Sequence, residues 1–150
     1  MSRSWFLPAL LLLLASGACR GPTEALRGGA ARPAGAELPG PPWRSATSPD
    51  GHFACAWRVV GREEVPRNED FELEVRLSRD ERALPGAMLG VRGFMPDHGH
   101  GMVRLPRSVD RGDGSYRVLG MLFHMRGHWQ LFFDFQTGEE FSGVIFDLEL

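Results

Sequence analysis

Alternation of apolar residues with polar or small ones is the feature that most limits how this 150-residue chain can fold. Phe53, Cys55 and Trp57 alternate with small or polar neighbours, and a period of two also runs through residues 71–77 and 116–120. Successive side chains of a strand point to opposite faces, so this period is typical of half-buried strands. No long stretch has the 3.6-residue period of an amphipathic helix. The sequence therefore predicts an all-β fold.

Turn signals separate these segments at a spacing typical of a sandwich. Further extended runs, aromatic and β-branched, lie at residues 129–135 and 141–150. The predicted folded part, residues 50–150, thus fits an immunoglobulin-like β-sandwich of about seven strands. Tyr116, after a glycine-rich turn, resembles the tyrosine corner of such sandwiches and fits a hairpin with an interface tyrosine equally well. The predicted turns are 49–51, 66–68, 84–86, 111–114 and 137–138.

The first 18 residues have the composition of an export signal peptide. A basic Arg3 precedes an apolar stretch at residues 5–15, and small Ser16 and Ala18 precede Cys19. The apolar stretch is too short to span a bilayer comfortably. Its end resembles a bacterial lipoprotein signal, in which the cysteine after the cleavage site is acylated, although that pattern usually has leucine where Ser16 stands. The alternatives are an ordinary cleavage before Cys19, which gives a soluble exported protein, and a retained N-terminal anchor.

Residues 19–49 are predicted to form a flexible, lipid-anchored linker, because they are rich in Gly, Pro, Ala and Arg and have few spaced apolar positions. Trp43 lies in this linker, where loose packing is expected and docking onto the following domain is the alternative. The predicted organisation is a signal peptide at 1–18, the linker, and a β-sandwich domain at 50–150. We expect a protein on the periplasmic or cell-surface side, held to the outer membrane by acylation, since its negative net charge does not favour electrostatic attachment.

Charge and cysteine content exclude several classes of function. All 17 basic residues are arginine and 19 acidic residues outnumber them, so no broad cationic surface for nucleic acid is expected. The absence of lysine excludes Schiff-base and Walker-type chemistry. Two cysteines cannot form a four-thiolate zinc site, and the inward position of Cys55 favours a buried thiol. The sequence contains no recognisable motif that pairs a nucleophile with a general base, so we do not expect an enzyme.

Histidine and methionine residues concentrate in two short segments. In the first, an extended backbone would point His98, His100 and Met102 to the same side, with only glycines between them. Met95 precedes this set, and Asp97 is expected to orient an imidazole without binding metal itself. The first segment therefore predicts a cluster of two imidazoles and a thioether.

The second segment, residues 120–129, adds His124, Met125 and His128. Alternation along a strand sets Met125 apart from the two histidines, so these side chains can share a site only if the strand ends or bulges near Gly127. We therefore expect part of the histidine and methionine set to pack in the core.

Imidazole and thioether ligands without thiolate suit copper, since Met and His together bind Cu(I) and His mainly binds Cu(II). Zinc could use His98, His100 and a third histidine, but the adjacent methionines would then have no role. In the competing interpretation, the two histidines shape a loop and the methionines belong to the core. The candidate ligands are Met95, His98, His100, Met102, His124, Met125 and His128.

The order and spacing of these motifs resemble the YtkA-like domain family, which is related to FixH-type proteins. The resemblance covers residues 53–150 and rests on Met-Pro-Asp-His-Gly-His-Gly at 95–101, on Pro106, on Tyr116 and on residues 120–129. It implies a small β-sandwich in exported or membrane-anchored bacterial proteins, with links to copper handling and oxidase assembly. One departure is Arg126, where relatives commonly have proline. Another is that the chain has no transmembrane helix of the FixH type.

Together these features predict a non-enzymatic exported lipoprotein domain that binds copper through His and Met side chains, in copper handling or delivery. The expected partners are the membrane, through the lipid on Cys19, and a copper-handling or oxidase-assembly protein. The alternative is a structural or protein-interaction β-sandwich without metal, whose His-Gly-His turn is fold-forming.

Overall fold

The computed structural model describes residues 42–150; the predicted signal peptide, Cys19 and most of the predicted linker lie outside this range. Within the range the chain is all-β, with two antiparallel sheets that form a β-sandwich. The described part contains no helix that could cross a membrane. Its strands in chain order are β1 (Arg44–Thr47), β2 (Phe53–Val59), β3 (Phe71–Arg79), β4 (Arg82–Ala83), β5 (Met88–Met95), β6 (His100–Gly101), β7 (Arg107–Asp110), β8 (Ser115–Met121), β9 (His128–Thr137) and β10 (Glu140–Glu149).

The ten strands divide between a larger and a smaller sheet. The larger sheet has the order β1-β2-β3-β8-β7, with β4 paired to β3 off this path. The smaller sheet has the order β10-β9-β5-β6. Long strands pair with little slippage, as in the ten-residue register of β9 with β10, because a slip by one residue would turn every buried side chain outward.

Alternation in the sequence corresponds to alternation of burial. Along β2, every second residue from Phe53 to Val59 is buried and the residues between are half-buried, and β9 behaves in the same way. The inward side chains of both sheets form one core, in which the Trp57 ring lies 6.2 Å from that of Phe133 and 5.8 Å from that of Phe146. The removal of this aromatic surface from water is the main force that holds the sheets together. Cys55 is fully buried in this core, and burial raises the pKa of its thiol.

The sandwich has more strands than the sequence predicts, because short strands carry too few residues to show a period. β4 and β6 have two residues each. β1 lies within the predicted linker, where it pairs with β2 and adds an edge to the larger sheet. Trp43, just before β1, lies under two guanidinium groups, with Arg58 at 4.5 Å and Arg76 at 4.2 Å from its ring centroid. The domain therefore begins before residue 50.

Tyr116 links the start of β8 to the segment that leads into β5. Its ring is buried, and its hydroxyl donates to the carbonyl of Leu84 at 3.2 Å and accepts from the Ala87 N–H at 3.0 Å. These partners lie about thirty positions upstream, whereas the hydroxyl of a tyrosine corner bonds a few residues upstream. The tyrosine therefore fastens a long connection to the core.

One end of the sandwich gathers several loops, and we call it the loop end. The Asn68 N–H donates to the carbonyl of Phe123 at 2.8 Å, which joins two of these loops. Arg104 forms an ion pair with Asp70 at 2.9 Å, which joins a third. The segments at the loop end are residues 60–70, 96–99, 102–106 and 122–127.

Candidate functional site

The first histidine segment forms a tight hairpin turn between β5 and β6. The N–H groups of His98 and Gly99 both donate to the carbonyl of Met95, at 3.3 and 2.9 Å. Gly99 has a φ of 68°, in the left-handed region that favours glycine. The predicted extended backbone is therefore wrong for residues 96–99. His98 lies exposed in the turn, and His100 lies half-buried on β6 opposite Met95.

The second segment enters the same site because β8 ends at Met121, well before Gly127. The following loop is not a strand, so alternation no longer separates its residues. Phe123 is buried in the core, whereas His124 and Met125 are half-buried. The loop thus brings an imidazole to the side of β6.

Three imidazoles lie side by side at the loop end. The rings of His100 and His124 stack with their centroids 5.3 Å apart and their planes at 27°. The His98 ring lies 5.7 Å from that of His100. We call these three residues the histidine cluster. The structure therefore brings together histidines from both sequence segments.

Trp129 packs behind the histidine cluster. Its ring is fully buried and stands nearly perpendicular to those of His100 and His124, at centroid distances of 6.4 and 5.6 Å. Its indole N–H donates to the carbonyl of Met125 at 3.1 Å, which holds the loop of His124 against β9. Trp129 was not among the predicted site residues. Its inward position on β9, close to Gly127, is the signal that could have identified it.

The hydrogen-bond environment is defined for two imidazole nitrogens of the cluster, Nδ1 of His100 and Nδ1 of His124. His100 Nδ1 lies 3.1 Å from the carbonyl of Gly101, and because a carbonyl only accepts, Nδ1 must donate its proton. A neutral His100 then carries its lone pair on Nε2, the arrangement common in metal-binding histidines. His124 Nδ1 is buried and has no hydrogen-bond partner within residues 42–150. Such buried, unpaired atoms are uncommon, and within residues 42–150 Trp57 Nε1 and Ser108 Oγ share this property with His124 Nδ1.

The methionines surround the cluster at different depths. Met95 is fully buried, and its methyl group packs toward Gly127. Met102 is half-buried and lies over Gly93, where a Cβ would be 3.2 Å from its Cγ and 3.4 Å from its Sδ. Met125 is also half-buried against the core. Two thioethers are therefore partly accessible, and the third belongs to the core.

His128 and Asp97 lie apart from the cluster contacts. His128 is next to Trp129 in β9 and so points to the other face of the sheet, where its Nε2 lies 2.8 Å from an Asp147 carboxylate oxygen. That hydrogen bond, with a second from Gln130, lowers the pKa of Asp147. Asp97 is exposed in the turn, and among the described residues the carboxylates bonded to imidazoles are Asp80 and Asp147.

The cluster as described is not a preformed metal cage. No group of three or more His, Cys, Asp or Glu side chains in residues 42–150 is arranged to hold a metal ion. An imidazole bound through nitrogen has its centroid about 3.2 Å from the ion, so two such rings are about 5 Å apart at a tetrahedral angle and about 6.4 Å apart when linear. The observed separations of 5.3 and 5.7 Å fall in this range. The spacing of neighbouring rings is therefore compatible with a shared ligand, although the described arrangement does not itself form a metal site.

Comparison with known proteins identifies the family of the chain. The YtkA-like family model matches residues 56–133, just over half of the sequence. The matched segment runs from β2 into β9 and includes the histidine cluster and Trp129. Neither the curated proteins nor the solved structures gave a match. The chain belongs to the YtkA-like family.

Proposed function

We propose that the domain is a non-enzymatic copper-binding module. The observation that carries the proposal is the histidine cluster, in which three adjacent imidazoles include a buried His124 Nδ1 without a partner. His98, His100 and His124 would supply nitrogen ligands after ring rotation. Met102 and Met125, half-buried beside them in the two segments, would supply thioether sulfur. His128 is engaged with Asp147 on the opposite face and is not part of this ligand set.

Copper is favoured over zinc by the chemistry of the donors. Cys55 is buried in the core and its thiol pKa is raised, so it offers no thiolate to a zinc ion. Imidazole and thioether together form a soft to borderline set that suits Cu(I). His98 is exposed in its turn, so one ligand is open to solvent and to an incoming acceptor. This arrangement supports copper handling or delivery, with a copper-handling or oxidase-assembly protein as partner.

The proposed location is the periplasmic or cell-surface side of the outer membrane, with acylation at Cys19. The support is the sequence of residues 1–19, with its basic start, apolar stretch and small residues before the cysteine. Mass spectrometry of the N-terminal peptide from the exporting cell tests this proposal. A diacylated Cys19 peptide is expected, and an unmodified N-terminus would contradict it.

Titration of the protein with Cu(I) against a competing chelator tests the metal site. We expect submicromolar affinity for the wild type and a loss of at least an order of magnitude when His98→Ala and His100→Ala are combined. The matched control is His52→Ala, because His52 pairs with Asp80 outside the loop end and should leave the affinity unchanged. A Cu(I) affinity that is micromolar or weaker, and that is the same in the wild type and the double variant, would contradict the proposal. Paramagnetic resonance of the Cu(II) form would count the bound imidazole nitrogens.

A second candidate function is supported by the hairpin itself. The backbone hydrogen bonds of the turn to Met95 and the left-handed Gly99 support a fold-forming role for the His-Gly-His segment. A structural or interaction sandwich without metal would bind its partner through an open face or edge strand. It predicts that the double histidine change lowers the melting temperature and that copper has no effect on either protein. A copper-dependent rise in the wild type alone would exclude it.

A further inference from the structure

The loop end also receives the N-terminal part of the chain. β1 starts at Arg44, which pairs with Trp57 near the end of β2. Because β1 runs antiparallel to β2, the residues before Arg44 lead toward the end of β2, where the loop of residues 60–70 begins. Arg44 lines one surface cleft together with Val65 and Leu150. Leu150 in turn exchanges two backbone hydrogen bonds with Gly127, at 2.8 and 3.1 Å. The entry of the chain and the loop of His124 therefore lie at the same end of the sandwich.

Two aliphatic side chains project into solvent at this end. Val103 is 70% exposed and Leu105 is 89% exposed, in the loop between β6 and β7. The loop is held at two points, since the Met102 N–H donates to the carbonyl of Gly93 at 3.1 Å and Arg104 forms its ion pair with Asp70. These fastenings keep the two aliphatic side chains outside the core.

We propose that Val103 and Leu105 insert into the lipid surface to which the N-terminal part of the chain attaches. The inference rests on the proposed membrane attachment and adds an orientation to it. The chain outside the described part joins the domain at the loop end, so the loop end is the tethered end of the sandwich and the one with the shorter path to the surface. Val103 and Leu105 form the tip of this loop, and Arg104 between them is paired with Asp70. The charge of Arg104 is thus compensated, and burial of the two aliphatic side chains in a lipid interface lowers the free energy through the hydrophobic effect, whatever the charge of the lipid.

The orientation has a consequence for copper exchange. His98 and His100 precede the aliphatic tip by only a few residues, so the histidine cluster would face the lipid surface. A site in that position exchanges its metal with a partner held in the membrane. A carrier free in solution would meet the opposite end of the sandwich first.

Depth-dependent fluorescence quenching tests the orientation. The full chain is coupled through Cys19 to a maleimide lipid in phosphatidylcholine vesicles, and the buried Cys55 does not compete for the reagent. Leu105→Trp places a reporter on the tip. Phe141→Trp is the matched control, because Phe141 is 73% exposed and lies at the start of β10, opposite Gln136 and away from the loop end. Both positions are exposed, so neither change should disturb folding, and equal melting temperatures would verify this.

Brominated phosphatidylcholine should quench the added fluorescence of Leu105→Trp and leave that of Phe141→Trp unchanged. Adding Val103→Asp to Leu105→Trp should remove the quenching. Quenching at neither position, or at both equally, would overturn the proposal, and the former would leave a protein as the partner of the tip. Coupling through the maleimide lipid imposes the attachment, so these outcomes do not depend on natural acylation of Cys19 or on copper binding. Failure of the orientation is thereby distinguishable from failure of the proposed function.

Discussion

Gly93 is the residue that lets the two segments of the site approach each other. A Cβ at this position would lie 2.8 Å from Cε1 of Phe123, closer than real Cβ atoms come to their neighbours, and 3.2 Å from Cγ of Met102, which is a tight contact. Both side chains pack in or against the core, so neither can move freely. We therefore predict that Gly93→Ala lowers the free energy of unfolding by about 1–3 kcal/mol, as overpacking usually does.

The control for this prediction lies on the same strand. Gly90 faces outward, and a Cβ there would meet nothing closer than a carbonyl oxygen of Asp134 at 3.7 Å, an ordinary contact. Gly90→Ala should therefore leave stability unchanged or slightly raised, since alanine restricts the unfolded chain. Urea unfolding of both variants measures the difference. Equal effects at the two positions would show that Gly93 is not a packing constraint.

His52 carries a pH dependence that follows from one contact. A hydrogen bond from its ring to Asp80, together with the charge of that carboxylate and of Asp50, raises the pKa of His52 above 6.5. A group with a raised pKa in the folded state stabilises the fold below its unfolded pKa, and this contribution is lost as the pH rises through the folded pKa. We predict that Asp80→Asn lowers the melting temperature near about pH 5 and has less effect near about pH 8.

Asparagine is the suitable replacement at Asp80 because that residue has a φ of 46°, which asparagine tolerates. The variant therefore removes the charge without straining the turn. Both pH values are measured by thermal unfolding in the same salt. A constant difference between wild type and variant across the pH range would refute the link to His52.

At the scale of elements, β1 and Trp43 make the edge of the larger sheet. The Trp43 ring interacts with the guanidinium groups of Arg58 and Arg76, and each such contact at a partly exposed site contributes modestly. We predict that Trp43→Leu, which keeps apolar bulk but removes the π face, lowers the free energy of unfolding by about 1–2 kcal/mol. Leu105→Ala, at an exposed position without such contacts, should have no effect on chemical denaturation. A loss in both variants would contradict the role given to the tryptophan.

The long strands could be predicted from the sequence because alternating burial along a strand selects alternating apolar and polar residues. β2, β3, β8, β9 and β10 all fall where alternating or β-branched and aromatic runs predict strands. β5 was not predicted because glycines at positions 90 and 93 interrupt the alternation of apolar and polar side chains that would identify a strand. β1 escapes because four residues show no period and its pairing comes from the exposed edge of β2. Tertiary pairing, and not local propensity, decides such strands.

The candidate site was predictable in its residue types and not in its geometry. His98 and His100 were grouped on the assumption of an extended backbone, whereas the chain turns at Gly99. The contact of His124 with His100 depends on where β8 ends, and the sequence marks that end only by glycines. His128 was expected among the candidate ligands, whereas it lies on the face of β9 opposite Trp129 and bonds to Asp147, a partner that no sequence signal identifies. Contacts between segments that are distant in the sequence can be predicted only when the pairing registers of the strands are known.

At the scale of the whole molecule, the β-sandwich holds the histidine cluster at its loop end. The two sheets fix β6, which carries His100, and the ends of β5 and β8, from which the loops of His98 and His124 begin, so the imidazoles of the two segments approach each other only in the folded state. A metal bound by residues from both segments therefore binds the native protein more tightly than the unfolded chain. A ligand that binds the native state raises the apparent stability of the domain by mass action, so metal binding can be measured as a change in the stability of the entire domain.

We predict that Cu(I) raises the melting temperature of the wild type. Free copper a hundredfold above the dissociation constant would add about 2.7 kcal/mol of stability, which corresponds to a rise of about 10–20 °C for a domain of this size. The combined His98→Ala and His100→Ala variant should show a rise of about half that size or less, because its affinity is at least tenfold weaker, and His52→Ala should respond like the wild type because its ring lies outside the cluster. Calorimetry in a buffered Cu(I) solution measures all three. A rise of equal size in the double variant would place the copper elsewhere, because linkage ties the whole stabilisation to the ligands that bind.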